Sequence, residues 1–261
     1  VALGSMGRTA LVAGLLFALH PLGSEPVNYI SSRSESLAAF FYLGALLAFA
    51  AGGARGKSSY RLLSWVCLAT GLLSKSSAIT LPAVLLVYDF VFLSDFDFKK
   101  LQRNFLRRHL GYWVLALCYL VAIIGNRFLT NSLARRVRDM DEQILTQVKA
   151  FAYYAKLLVW PRGLNVEHQF AVASTPNAAV AFALLLFGTC VTLLFWSYRR
   201  RLRSVLFFAL WALIALAPVM IMPLNVLVNE RRLYLPAAAF CAGLALVLNS
   251  RSLRRFAPYL S

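Results

Sequence analysis

The chain has 261 residues, a formal net charge of +17 and a mean hydropathy of +0.68, with 60% apolar and 14% charged residues. A soluble domain cannot cover that much apolar surface, so this composition excludes one and is typical of an integral membrane protein. The lysines and arginines lie in short clusters between long apolar runs, which favours loops at a membrane surface over nucleic-acid binding.

Long apolar runs predict an all-α, polytopic membrane protein with about eight transmembrane helices. The runs cover residues 7–20, 36–52, 61–74, 77–93, 110–127, 179–197, 204–222 and 234–249. Several are shorter than the ~20 residues that usually cross a bilayer, so flanking charges or local thinning must accommodate them. No repeat or linker is visible, which predicts a single transmembrane domain over residues 1–261.

Five basic clusters predict which loops face the cytoplasm. They hold sixteen of the 27 lysines and arginines, while only Asp89, Asp95 and Asp97 of the ten acids share these inner segments. The clusters are Arg8; Arg55, Lys57 and Arg61; Lys99, Lys100, Arg103, Arg107 and Arg108; Arg199, Arg200, Arg201 and Arg203; and Arg251, Arg254 and Arg255. The outer face then receives residues 21–35, 74–77, 128–178 and 223–233. A helix over residues 142–159, apolar at helical spacing, is expected to lie flat in the outer interface.

The first outer loop is unusually rich in ionisable residues. His20, Glu25, Arg33 and Glu35 fall within sixteen residues at the membrane surface. Each residue alone could be a solvated or paired group beside the helix-breaking prolines of this loop. As a group, they indicate a polar site.

Polar residues also mark the other outer segments. Lys75 lies at a turn between two predicted spans, where an outer lysine runs against the positive-inside trend. It either extends to solvent or contacts an anion, and both interpretations remain open. Glu230, Arg231, Arg232 and Tyr234 stand at the mouth of the last predicted span, where ionisable residues are costly and usually functional.

The long outer segment adds a basic patch and a histidine. Arginines suit phosphate, so the patch could hold a polyprenyl-phosphate head group, an anionic phospholipid or the segment's own acids. His168 follows Glu167 and could form an acid/base pair with it, although adjacent residues in a turn more often point apart. The patch consists of Arg127, Arg135, Arg136 and Arg138.

Six short motifs occur in the order found in a known family. They are His20-Pro21 with Glu25; Ser32-Arg33-Ser34-Glu35; Leu73-Ser74-Lys75; Leu86-Val87-Tyr88-Asp89; Pro161-Arg162-Gly163-Leu164; and Asn229-Glu230-Arg231-Arg232-Leu233-Tyr234-Leu235-Pro236. Over about residues 9–245 the chain resembles the membrane part of the transmembrane and tetratricopeptide-repeat O-mannosyltransferases and their bacterial relatives, which are C-type multispanning glycosyltransferases. The resemblance implies a polyprenyl-phosphate-linked sugar donor on the extracytoplasmic face, here of a bacterial inner membrane.

The resemblance also implies roles for the outer residues. Glu25 and Glu230 are the candidate catalytic carboxylates, because transfer to a hydroxyl needs a group that accepts its proton. Cations would stabilise the departing phosphate. The residues expected to bind substrate or lipid phosphate are His20, Arg33, Glu35, Lys75, Arg231, Arg232 and Tyr234. No cofactor is expected, and no metal, since the four cysteines lie in apolar runs without metal-ligand spacing.

Two departures from the family pattern leave two functions open. Ser76 follows Lys75 where the family commonly has a carboxylate. The family's catalytic aspartate, which follows an earlier span, and its repeat domain are not found in these residues. We therefore expect either a fragment of a transferase, or a non-catalytic subunit derived from that fold, which binds lipid and packs within a larger membrane complex.

Overall fold

The computed structural model describes residues 2–55, 58–125, 139–165, 168, 170–221 and 227–249. Within these residues the regular structure is entirely helical, which confirms the all-α prediction. The α-helices in this part of the chain are α1 (Ala2–Leu19), α2 (Ser24–Asn28), α3 (Arg33–Arg55), α4 (Ser58–Ser74), α5 (Leu81–Tyr88), α6 (Phe98–Arg108), α7 (Leu110–Gly125), α8 (Met140–Val159), α9 (Ala178–Arg199), α10 (Arg203–Ile221) and α11 (Tyr234–Leu248). Short 3₁₀ segments cover Pro21–Gly23, Ile30–Ser32, Ser76–Thr80 and Glu230–Leu233, and a π-helical turn covers Asp89–Leu93.

The described residues contain five to seven candidate membrane spans. Five helical segments of the described chain are long and apolar enough to cross a membrane: Ile30–Gly53, Ser76–Leu93, Ala178–Arg199, Arg203–Ile221 and Glu230–Leu248. Seven result if each of two bent pairs counts as one span, namely Gly7–Leu19 with Pro21–Asn28 and Phe98–Arg108 with Leu110–Gly125. The predicted count of about eight is not confirmed. The run at 61–74 forms α4, whose 17 residues rise only about 26 Å, less than the ~30 Å of a hydrocarbon core.

Two sharp bends interrupt the helices. At the first, of 61°, Pro21 follows α1 and cannot continue its hydrogen-bond ladder. At the second, of 62°, His109 separates α6 from α7.

The basic segment before that bend is a helix, not a loop, because the Asp97 side chain caps it by accepting from the backbone N–H groups of Lys99 and Lys100. Five of the eleven residues of α6 are basic, so it is strongly amphipathic.

Two apolar clusters hold the helices together. The larger joins α3, α4, α5, α7, α10 and α11 around residues such as Tyr42, Leu85 and Trp211. Close approach helps here: a Cβ on Gly111 would stand 2.6 Å from the Trp65 ring. The smaller cluster includes Leu22, Tyr154, Leu157, Val228 and Leu233, and it packs the loops before α2 and α11 onto α8.

Helix α8 matches the helix predicted at residues 142–159. It packs against α9 and is not among the candidate spans. Its predicted position in the membrane interface stays a prediction.

Candidate functional site

Helix α8 anchors the first outer loop through His20. The imidazole Nε2 donates to the Leu158 carbonyl at 3.1 Å, and Nδ1 accepts the Leu22 backbone N–H at 3.3 Å. The neutral tautomer protonated at Nε2 satisfies both bonds. His20 therefore fixes the start of the Pro21–Gly23 turn, and this turn leads directly into α2, which carries Glu25.

Glu25 lies against the backbone of the last outer loop. Its side chain is only 6% exposed, and its Oε2 accepts the backbone N–H of Arg231 at 3.1 Å. Its Oε1 is buried and has no hydrogen-bond partner among the described residues. A buried carboxylate oxygen without a partner is costly, so it is a strong candidate for a contact with a bound group.

Glu230 belongs to a hydrogen-bonded chain with two other polar groups. Its Oε1 accepts the Asn165 backbone N–H at 2.5 Å and lies 2.8 Å from Nε2 of His168. Nδ1 of His168 lies 3.1 Å from the Tyr153 hydroxyl. If Nε2 carries the proton, Tyr153 donates to His168 and His168 donates to Glu230. Burial, and next the negative charge of Glu230, raise the pKa of Tyr153, which keeps its hydroxyl protonated.

Tyr154 fastens the last outer loop to the same helix. Its side chain is fully buried, and its hydroxyl accepts the Asn229 backbone N–H at 3.2 Å and donates to the Leu227 carbonyl at 3.4 Å. Asn229 in turn caps the Glu230–Leu233 turn by accepting the Arg231 N–H at 3.2 Å. Three nearby positions of α8, residues 153, 154 and 158, thus hold three separate segments of the site.

The predicted cations of the last loop occupy different positions. Arg231 is half-buried, with its backbone N–H on Glu25. Arg232 donates from a guanidinium nitrogen to the Leu227 carbonyl at 3.3 Å. The ring of Tyr234 packs 5.0 Å from that of Phe17, on α1, so it serves as a wall between the two outer loops. Arg33 is exposed at the start of α3.

A second polar cluster lies at the adjoining ends of α3 and α4. Glu35 is 8% exposed; its Oε1 is 3.4 Å from Nζ of Lys75, and its Oε2 accepts the Ser77 hydroxyl at 3.2 Å. The next residue along α3, Ser36, donates to the Pro26 carbonyl at 3.1 Å, which ties this cluster to the loop of Glu25. The carboxylate partner of Lys75 is therefore supplied by α3 and not by the residue that follows it.

The structure thus groups most of the predicted residues at one end of the helices. Glu25 bonds to the backbone N–H of Arg231, the residue after Glu230, whereas Glu35 and Lys75 form the neighbouring pair. No sequence pattern singled out Tyr153. A pair of His168 with Glu167 was considered less common than side chains that point apart, and in the structure His168 bonds to Glu230. Glu167 and the basic patch Arg127, Arg135, Arg136 and Arg138 lie outside the described residues. Among the described residues, no cluster of three His, Cys, Asp or Glu side chains suits a metal ion.

Curated relatives point to a glycosyltransferase relationship. A protein O-mannosyl-transferase of Caenorhabditis elegans is 25% identical over 265 residues, which cover 93% of this chain and 35% of that protein. One from Mus musculus is 25% identical over 189 residues, 69% of this chain and 18% of its own length. One from Xenopus laevis is 36% identical over 111 residues, 40% of this chain and 12% of its own length. The chain is distantly related to protein O-mannosyl-transferases.

This similarity covers only part of the relatives. The chain spans about a third of the length of the nematode relative and less of the other two. No family profile and no solved structure matches it. Together with the apolar helices, the relatives support an integral membrane protein related to membrane glycosyltransferases.

Proposed function

We propose that this chain carries the membrane-embedded site of a glycosyltransferase, which moves a mannosyl group from a polyprenyl-phosphate donor to a hydroxyl on the extracytoplasmic face. The observation that carries the proposal is the buried Oε1 of Glu25, which has no hydrogen-bond partner among the described residues, on a side chain whose Oε2 bonds to the backbone of Arg231. Mannose is proposed because the relatives are O-mannosyl-transferases. The bacterial inner membrane is the proposed location.

The residues of the site suit the two requirements of this transfer. The acceptor oxygen attacks the anomeric carbon, the bond from that carbon to the phosphate oxygen breaks, and its electron pair stays on the phosphate. The acceptor's proton passes to a carboxylate, for which Glu25 offers Oε1, an oxygen that no other described group hydrogen-bonds. Arg231, with Lys75 nearby, would stabilise the charge that grows on the leaving phosphate.

Contacts between basic segments support the outward placement of the site. Asp95, just before α6, accepts from Arg203 and lies 3.7 Å from Arg201, at the turn between α9 and α10. Arg61 and Arg107 line one cavity. Three predicted inner clusters therefore lie on one side, at the ends of the helices away from Glu35 and Lys75. The positive-inside rule assigns that side to the cytoplasm.

The test is transfer of radiolabelled mannose from a polyprenyl-phosphate donor to an acceptor in proteoliposomes. The assay uses both this 261-residue chain and its complete natural reading frame, so that no result depends on where the chain begins or ends. Glu25→Gln should lower kcat by about 10²–10⁴-fold, the usual contribution of general base catalysis. Arg231→Ala should lower kcat and also raise the KM for the donor.

Matched controls separate these effects from loss of folding. Glu142→Gln removes a carboxylate from the first turn of α8, and Arg199→Ala removes an exposed guanidinium at the end of α9 that lies over the Phe195 ring. Both should keep transfer within about twofold, because neither residue belongs to the site. Transfer that Glu25→Gln leaves unchanged would refute the role of this carboxylate. Absence of transfer from well-folded protein in both forms would favour the lipid-binding, non-catalytic subunit.

A further inference from the structure

A cavity of about 370 Å³ lies at the opposite ends of the helices from the candidate site. It is formed by the C-terminal part of α3, the start of α4 and the last turns of α6. Along α3, Gly52 at the cavity is 17 residues from Glu35 at the site, a rise of about 25 Å. The cavity is therefore separate from the proposed transfer chemistry.

The lining of the cavity has two chemically distinct parts. One part is apolar and comes from α3 and the π-helical turn. The other is polar and contains three guanidinium groups with a hydroxyl and an amide. The apolar side chains are Ala48, Phe49 and Leu93, and the polar ones are Ser58, Arg61, Asn104, Arg107 and Arg108.

The positive charge of the cavity is only partly balanced. Arg108 donates to both oxygens of Asp89 at 3.1 Å. The guanidinium of Arg61 lies 5.7 Å from the centre of the Trp65 ring. In the described part of the chain, no carboxylate lies within 4.0 Å of the charged groups of Arg61 or Arg107. Arg61 and Arg107 thus line one cavity and have no carboxylate partner in the described part of the chain, so an anion bound there would balance their positive charge.

Asp89 holds the position of the third arginine. Its carboxylate is fully buried and also contacts Ser94 Oγ at 2.7 Å and His109 Nε2 at 2.9 Å. These contacts connect the π-helical turn to the bend between α6 and α7. Arg108 is consequently preorganised at the cavity, which lowers the entropy cost of binding an anion there.

We propose that this cavity binds a phosphate group. Guanidinium forks match phosphate oxygens in pairs, and the Ser58 hydroxyl and Asn104 amide can add neutral hydrogen bonds. The volume lies within the usual range of ligand pockets, roughly 300–1,000 Å³. The phosphate is either that of an anionic lipid headgroup, whose acyl chains would contact the apolar wall, or free inorganic phosphate. The basic, amphipathic α6 beside the cavity suits a surface of anionic lipid.

Two binding measurements on the purified full chain test the proposal. Native mass spectrometry follows a titration with phosphatidylglycerol, with zwitterionic phosphatidylcholine, which has no net charge, as the comparison. Calorimetry follows a titration with inorganic phosphate. We expect one saturable site for at least one anionic probe, weakened tenfold or more by Arg61→Gln and by Arg107→Gln. Arg103→Gln is the matched control, since Arg103 lies on α6 outside the cavity lining; it should change affinity by less than twofold.

The outcomes distinguish the source of the phosphate and the validity of the site. If phosphatidylglycerol binds and inorganic phosphate does not, and Arg61→Gln and Arg107→Gln weaken the binding, the ligand is a lipid headgroup. If inorganic phosphate binds and the same variants weaken it, the phosphate group alone is sufficient. Arg107→Lys keeps the positive charge but lacks the two-pronged guanidinium, so it should weaken binding three- to tenfold. This conservative variant also serves as the control in case Arg107→Gln misfolds. Binding that is absent, or that Arg103→Gln weakens equally, overturns the proposal.

Discussion

Replacing Tyr154 with phenylalanine tests whether α8 holds the site together. The change deletes one buried hydroxyl and leaves the ring volume in place. It removes the bonds of that hydroxyl to Asn229 N–H, 3.2 Å, and to the Leu227 carbonyl, 3.4 Å. A typical hydrogen bond contributes about 0.5–1.5 kcal/mol, so the two together should stabilise the loop by roughly 1–3 kcal/mol. That loss corresponds to an increase of about 5- to 150-fold in local opening.

Hydrogen exchange of the Arg231 backbone amide is the direct measurement, because this amide donates to Glu25. In Tyr154→Phe, we expect this amide to exchange faster by the factor above and transfer activity to fall. The control is Tyr153→Phe, one residue earlier on α8, which removes the bond to His168 but neither bond to the loop. Equal exchange rates in wild type and Tyr154→Phe, or equal acceleration in both variants, would refute the anchoring role of Tyr154.

Three further predictions concern other polar groups. Asp89→Asn should lower the free energy of unfolding by about 2–4 kcal/mol in a denaturant titration, less than for a fully buried pair because the Arg108 side chain is 33% exposed. Lys75→Met should cost at most about 1 kcal/mol, since Lys75 is 34% exposed in its pair with Glu35, and should act mainly on the KM for the donor. Because the pKa of Tyr153 is raised in the folded protein, its protonated hydroxyl contributes to the free energy of unfolding. This contribution is fully present below pH ~10, the ordinary tyrosine pKa, and is lost as the pH rises through the raised pKa. Tyr153→Phe should therefore flatten this part of the alkaline decline in unfolding free energy, measured from about pH 9 to 12.

Hydrophobicity alone identified the helices but not the number of spans. Long apolar runs are a direct physical requirement of a bilayer, so α3, α9 and α10 were predictable from composition. Bends are less visible in sequence. At the bend, the His109 ring makes a buried contact with Asp89, 20 residues away, and no local pattern encodes such a contact. The count of about eight therefore exceeded the five to seven spans that the described residues support.

The candidate site was predictable in its residues but not in its pairing. Ionisable residues on the outer segments stand out because they are expensive near lipid, and this singled out Glu25 and Glu230. Which side chains meet is decided by the packing of distant segments. His168 lies beside Glu167 in sequence, but its ring bonds with Glu230, 62 residues away. The role of Tyr153 follows only from that geometry.

Lys75 shows how a departure from a family motif can be compensated in space. A carboxylate after this lysine is common in the family that the chain resembles, and Ser76 stands there instead. A partly buried ammonium without any counter-charge would be costly, yet Glu35 lies 3.4 Å from it and is itself oriented by Ser77. Because Ser36 also bonds to the Pro26 carbonyl, the same turn of α3 positions both this ion pair and the loop of Glu25. A change at Ser76 therefore leaves the charge balance of the turn intact, whereas loss of Glu35 would remove it and disturb the neighbouring carboxylate site as well.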